Sequence, residues 1–137
     1  RMTRRYVLDS YALLALLQDE DGAQEVEDLI VSDDAEITVS VINLGEVFYI
    51  LARKAGQEAA CKFERRVMDT PKIVVADASW ERVRAAAALK TVGGLSFADC
   101  FGASLSLELD ATLVTGDSEF ARLEETAGLK VMWMHKR

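Results

Sequence analysis

Five short β-type runs, separated from one another by amphipathic helical stretches, constrain this chain more than any other feature. They are Tyr6-Val7-Leu8, Ile37-Thr38-Val39, Ile73-Val74-Val75, Thr112-Leu113-Val114-Thr115 and Val131-Met132-Trp133. Strands that alternate with helices are joined by right-handed crossovers, which makes a mainly parallel sheet with helices packed on its faces. The alternation therefore predicts an α/β sandwich and leaves the strand order open.

The intervening stretches carry their own start and stop signals. Leu13, Leu14, Leu16 and Leu17 predict a helix after the first strand, and Val26, Leu29 and Ile30 mark a second from Ala23 to Val31. Ser40 is suited to cap a long helix running to about Ala55, where Gly56 stops it. Gln57 to Asp69 reads as an amphipathic helix broken by Thr70-Pro71. An alanine-rich helix follows from about Ser79 to Thr91, and Gly93-Gly94 turns the chain. Ser96 then opens a helix ending near Leu109, with Asp99 at the position of a capping-box acid. Gly116-Asp117 is expected to open the last helix.

Composition removes several function classes. At 137 residues, half of them hydrophobic, the chain is long enough to bury a real core as one domain. No apolar run approaches the ~20 residues needed to cross a bilayer, so no membrane partner is expected. The basic start, Arg1 to Arg5, is followed by too short an apolar stretch for a signal peptide. Cys61 and Cys100 belong to no C-x-x-C motif, and one histidine, His135, cannot complete a zinc set. Two buried, reduced thiols in a cytoplasmic protein are the expectation. His135 is expected at the surface, and a histidine-pair ribonuclease mechanism is excluded.

The net charge of −7 argues against a nucleic-acid partner unless bound cations reverse the local field. The placement of the acids supplies that condition. Asp9 follows the first strand and Asp117 the fourth, so both fall at the carboxyl edge of a parallel sheet, where ligands gather. Glu46 lies in mid-helix beside the apolar stripe Val41, Leu44, Val47, Phe48 and Leu51, where no cap or surface role suits it. Asp99 stands in the otherwise apolar segment Leu95 to Ala103. Singly, Asp9, Asp99 and Asp117 read equally well as helix caps. Together the four acids predict an oxygen-donor site for Mg²⁺ (or Mn²⁺), the usual equipment for hydrolysing a phosphodiester. Asn43 shares a helical face with Glu46, and Ser10 and Thr115 adjoin the strand-end acids, so these three are expected to support the site.

Four blocks then carry a family resemblance: Tyr6-Val7-Leu8-Asp9-Ser10, Ile42-Asn43-Leu44-Gly45-Glu46-Val47, Leu95-Ser96-Phe97-Ala98-Asp99-Cys100 and Leu113-Val114-Thr115-Gly116-Asp117-Ser118-Glu119-Phe120. In order and spread they resemble the motifs of PIN-domain ribonucleases, in particular VapC-type toxins. The resemblance implies a single PIN-like domain over residues 1–137, a three-layer sandwich with a five-stranded sheet in the order 3-2-1-4-5. It implies endoribonuclease activity with Asp9, Glu46, Asp99 and Asp117 as catalytic and metal-binding acids. Ser10, Asn43 and Thr115 match its supporting positions, and Phe120 its packing position. It further implies an RNA substrate, a small antitoxin protein as partner, and a homodimer. Tyr11 reads chiefly as a helix residue packed on the sheet, and secondarily as a base-stacking residue at the pocket mouth.

The alternative is a catalytically silent α/β interaction module, receiver-like or an inactive relative of the same family. A receiver needs a lysine after the fifth strand, where His135 precedes Lys136. A phosphatase with an aspartyl nucleophile would need an acid at the position of Tyr11. No phosphate-binding glycine motif is present.

Overall fold

The central strands are apolar on both faces, so that successive side chains enter two different cores, and this sets the layers. The computed structural model describes residues 3–135. In chain order the elements are β1 (Arg4–Leu8), α1 (Ser10–Leu17), α2 (Ala23–Val31), β2 (Ala35–Ser40), α3 (Val41–Ala55), α4 (Gln57–Met68), β3 (Ile73–Ala76), α5 (Trp80–Lys90), α6 (Phe97–Leu109), β4 (Thr112–Thr115), a 3-10 turn (Ser118–Phe120), α7 (Ala121–Thr126) and β5 (Lys130–Trp133). All strand pairings are parallel, in the order β3-β2-β1-β4-β5. The strand order that the family resemblance implied is the one observed.

On one face of the sheet, Tyr6, Leu8, Ile37, Val39 and Val114 meet Leu13, Val26, Leu44, Val47 and Phe63 from α1 to α4. On the other, Val7 and Leu113 meet Cys100, Phe101, Phe120 and Leu123 from α6 onward. Adjacent residues of one strand, such as Val7 and Leu8, thus lie in different cores. Both are fully buried, which is why the central strands read as continuous apolar runs.

The caps fall where the hydroxyl and acidic side chains predicted them. Asp9, Ser40, Ser79 and Ser96 each accept a backbone N–H from the first turn of the helix that follows. The register pairs Leu8 with Val114, so β1 and β4 end side by side and their following residues emerge together.

Two expectations are corrected. The stretch after Gly116-Asp117 does not begin as an α-helix: Asp117 caps a 3-10 turn, and α7 starts only at Ala121. Cys61 is only partly buried, because the stripe of α4 that faces the sheet is Ala60, Phe63 and Val67. Both cysteines are free. His135 is exposed, as expected, with its ring Nδ1 3.1 Å from Glu25. Arg4 and Arg5 form exposed ion pairs with Asp34 and Glu36 respectively, whereas Lys136-Arg137 lies outside the described residues. Among the described residues no helix is long and apolar enough to cross a membrane.

Phe120 is the largest of the fully buried side chains, in agreement with its expected packing role. Phe120→Ala should lower stability by about 3–5 kcal/mol through the cavity it leaves, read as a drop in the urea midpoint at unchanged slope.

Candidate functional site

Asp9 is the residue on which the site is assembled. Its carboxylate is 1% exposed, and both oxygens are used within the chain. Oδ1 accepts from the Ala12 N–H at 2.9 Å, capping α1, and Oδ2 accepts from the Thr115 hydroxyl at 2.5 Å. Thr115 is itself fully buried and accepts from the Asp117 N–H at 3.0 Å. One hydroxyl thereby connects the residue after β1 to the second residue after β4. Asp117 in turn accepts from the Glu119 N–H at 3.0 Å, which holds the 3-10 turn in place.

A second anchor reaches across the helices. Asn43, in the first turn of α3, is fully buried and donates from Nδ2 to Ser10 Oγ and to the Ala98 carbonyl, both at 3.1 Å. It joins the start of α1, the start of α3 and the start of α6, the helix that carries Asp99. Its Oδ1 is a buried acceptor with no hydrogen-bond partner among the described residues. Such an orphan weakens the local fold and is uncommon away from functional sites.

Asp99 resolves a choice that the sequence posed as either cap or pocket. Its N–H donates to the Ser96 hydroxyl at 3.1 Å, so it does occupy the capping-box position. Its half-buried carboxylate also joins those of Asp117 and Glu119: one oxygen from each lies within 4.8 Å of the other two. Glu46, half-buried on α3, lies outside that group but near enough to act electrostatically on Asp99. Asp9 lies outside it too, with its oxygens already engaged. The structure thus brings Asp99 and Asp117 together, sets Asp9 and Glu46 around them, and adds Glu119. Position in sequence held a hint of Glu119, an acid two residues beyond Asp117. Only the tight 3-10 turn, in place of a helix, brings the two carboxylates onto one center.

The crowding shows in the proton affinities. Burial pushes the Asp9 carboxyl up to about 7, and the charges of Asp99 and Asp117 add to the rise, against the opposing hydrogen bonds from Thr115 and Ala12. Burial likewise raises Asp99, assisted by Asp117 and Glu46 and opposed by its bonds to Ser96. Three clustered carboxylates offer hard oxygen donors only, and such a set fits Mg²⁺ or Mn²⁺ and not zinc.

Tyr11 packs at the margin of the first core. Its ring rests on the bare α-carbon of Gly116: a methyl group there would lie 2.3 Å from Cε1. Any larger residue at this position would have to displace the ring.

Comparison with known proteins places these features. The PIN domain family matches residues 6–126. No curated protein matches the sequence. Among solved structures, the VapBC2 complex of Rickettsia felis, bound to a DNA fragment from its promoter, superposes with a TM-score of 0.75 at 21% identity, covering 96% of this chain and 99% of the other. VapC20 of Mycobacterium tuberculosis, a toxin that cleaves the sarcin–ricin loop, gives 0.71 at 17% identity, covering 85% and 93%. A toxin–antitoxin complex from Klebsiella pneumoniae gives 0.69 at 16% identity, covering 96% and 99%. Likenesses this low in identity establish the shared fold.

A raised carboxyl pKa reverses the usual sign of the pH dependence. Between about pH 4 and about pH 7 the folded chain holds the Asp9 proton more tightly than the unfolded chain does, so this contribution to stability is lost as pH rises. In EDTA the melting temperature of Asp9→Asn should therefore gain on that of wild type as pH increases across this window. A constant difference would mean that Asp9 titrates like an ordinary carboxylate.

Proposed function

The chain belongs to the PIN domain family, and from that premise we propose that it is a metal-dependent endoribonuclease, the toxin of a toxin–antitoxin pair. The observation that carries this reading is the convergence of Asp99, Asp117 and Glu119 at the carboxyl edge of the sheet, bordered by Asp9 and Glu46. Among the described residues no other group of three acids, cysteines or histidines comes this close together.

Asp99, Asp117 and Glu119 would hold a divalent cation, Mg²⁺ or Mn²⁺, with Asp9 and Glu46 completing the acidic wall. Once bound, such an ion lowers the pKa of a coordinated water and stabilises the leaving oxygen of a phosphodiester. The chain itself supplies position. Thr115 fixes Asp9 and Asp117 relative to each other, Ser96 orients Asp99 through the start of α6, and Asn43 and Ser10 tie α3 to α1 and α6. These supports leave few rotamers to lose when a cation and an RNA strand arrive.

The similar solved structures include a toxin–antitoxin complex and a member of the VapBC family of toxin–antitoxin systems, and a small antitoxin is proposed here as well. A chain of net charge −7 with an acidic pocket suits a partner that presents a basic segment to it. A homodimer and a cytoplasmic setting complete the proposal.

Cleavage of a mixed RNA by the purified chain should require Mn²⁺ or Mg²⁺, stop in EDTA, and fall about 100-fold or more in Asp99→Asn and in Asp117→Asn. In the metal-free protein Asp99→Asn should melt at a higher temperature than wild type, because one like charge is removed from the cluster. No cleavage under any condition, with metal binding also undetectable by calorimetry, would favour the catalytically silent module.

A further inference from the structure

A cavity of about 440 Å³ is lined by Tyr11, Leu14 and Ala15 of α1 and by Glu20 and Asp21 of the turn that follows it, and the Tyr11 ring links it to Gly116, the residue before Asp117. Its volume is that of a small-molecule site. None of these five residues is basic, so the cavity offers no grip on a phosphate. It does offer an aromatic ring, two aliphatic walls and two carboxylates, which is the surface an unpaired nucleobase requires.

Both walls are built to stay in place. The Tyr11 ring lies directly on Gly116, the residue before Asp117, which fixes the distance between ring and acid cluster. The turn is closed by the Glu20 N–H to the Ala15 carbonyl at 2.9 Å and the Ala23 N–H to the Glu20 carbonyl at 3.0 Å. At its far end Gly22, at φ +88°, is so close to Met134 that a methyl would lie 2.7 Å from Cε. The Met134 N–H donates to the Thr115 carbonyl at 2.9 Å, so the turn is braced on the same residue that orients Asp9. With the Gln18 amide oriented to satisfy its neighbours, its nitrogen donates to Glu20 at 2.8 Å and its oxygen accepts from Lys54 at 3.3 Å. Glu20 is thereby positioned, while its carboxylate retains lone pairs for a further donor.

We infer that this cavity is a subsite for one unpaired base of the RNA next to the cleaved bond, with guanine preferred. The assignment rests on the ribonuclease reading and deepens it. An ionised carboxylate only accepts hydrogen bonds. Guanine presents N1–H and N2–H₂ side by side, and a carboxylate takes both at once. Adenine and cytosine place an acceptor beside their amino group, and uracil flanks its single N–H with two carbonyls. The ring of Tyr11 supplies stacking without discriminating among bases, and the Glu20 carboxylate supplies the choice.

The test uses neutral nucleosides, so that phosphate repulsion by the acids does not enter. Guanosine, adenosine, cytidine and uridine are titrated into the ¹⁵N-labelled full chain and followed by amide chemical shifts. Guanosine should shift the amides of Tyr11, Ala15, Glu20 and Asp21 and bind about tenfold more tightly than the other three. Glu20→Gln should level that preference, Tyr11→Phe should keep it, and Tyr11→Leu should weaken all four nucleosides while its spectrum stays dispersed. Shifts centred elsewhere, equal affinities for the four, or undiminished binding in Tyr11→Leu would overturn the assignment. Metal-dependent RNA cutting, measured on the same preparation, reports separately. Guanosine binding without cutting supports the base site and overturns only the hydrolytic reading, whereas cutting without guanosine binding removes the base site alone.

Discussion

The hydrogen bond from the Thr115 hydroxyl to the buried Asp9 carboxylate is the contact on which the rest of the site depends. It closes the junction between the two strands at which the sheet changes direction. From β1 the chain builds outward through β2 to β3, and on the other side β4 leads to β5. Such a junction leaves a crevice beyond the strand ends, because the connections depart from it to opposite sides. A carboxylate buried there would be costly without partners. Asp9 has two, and one of them passes the constraint on to the Asp117 backbone.

From that contact the acidic character of the pocket follows with little freedom. Asp117 is placed by Thr115 and Asp99 by the first turn of α6, whose start is held by Asn43 through the Ala98 carbonyl. The carboxylates face one another because three helix or turn starts are docked on one edge of the sheet. Their burial, reinforced by mutual repulsion, shows as raised proton affinity at Asp9 and Asp99. Local arrangements of this kind spend stability on function, and the orphaned acceptor of Asn43 belongs to the same pattern.

The acid cluster and the cavity on the other side of Gly116 differ in kind. Toward α6 and the 3-10 turn, charge is concentrated and geometry is set by caps, with Ser96 and Asp117 each accepting an N–H from the turn they open. Toward α1 and its following turn, a ring, aliphatic carbons and two more acids line an open cavity. Gly116 stands between them, where its missing side chain lets Tyr11 approach the chain leading into Asp117. A reacting phosphate and a recognised base need those different surroundings, and a short stretch of α1 reaches both.

Much of this was legible in the residues alone. Alternating apolar runs and helical periods determined the layers and the strands, since period two and period 3.6 leave different marks. Ser40, Ser79 and Ser96 marked the helix starts, and Asp9, Glu46, Asp99 and Asp117 stood out as acids at strand ends or among apolar neighbours. Tertiary structure decided how those acids are used. Asp9 spends both oxygens on Thr115 and Ala12, Asp99 serves as cap and pocket acid at once, and Glu119 joins the cluster because the chain after Asp117 forms a 3-10 turn. Period and composition report which face of an element is buried. The second oxygen of Asp9 is taken by Thr115, more than 100 residues away, and only the crossovers of the folded sheet bring those two together.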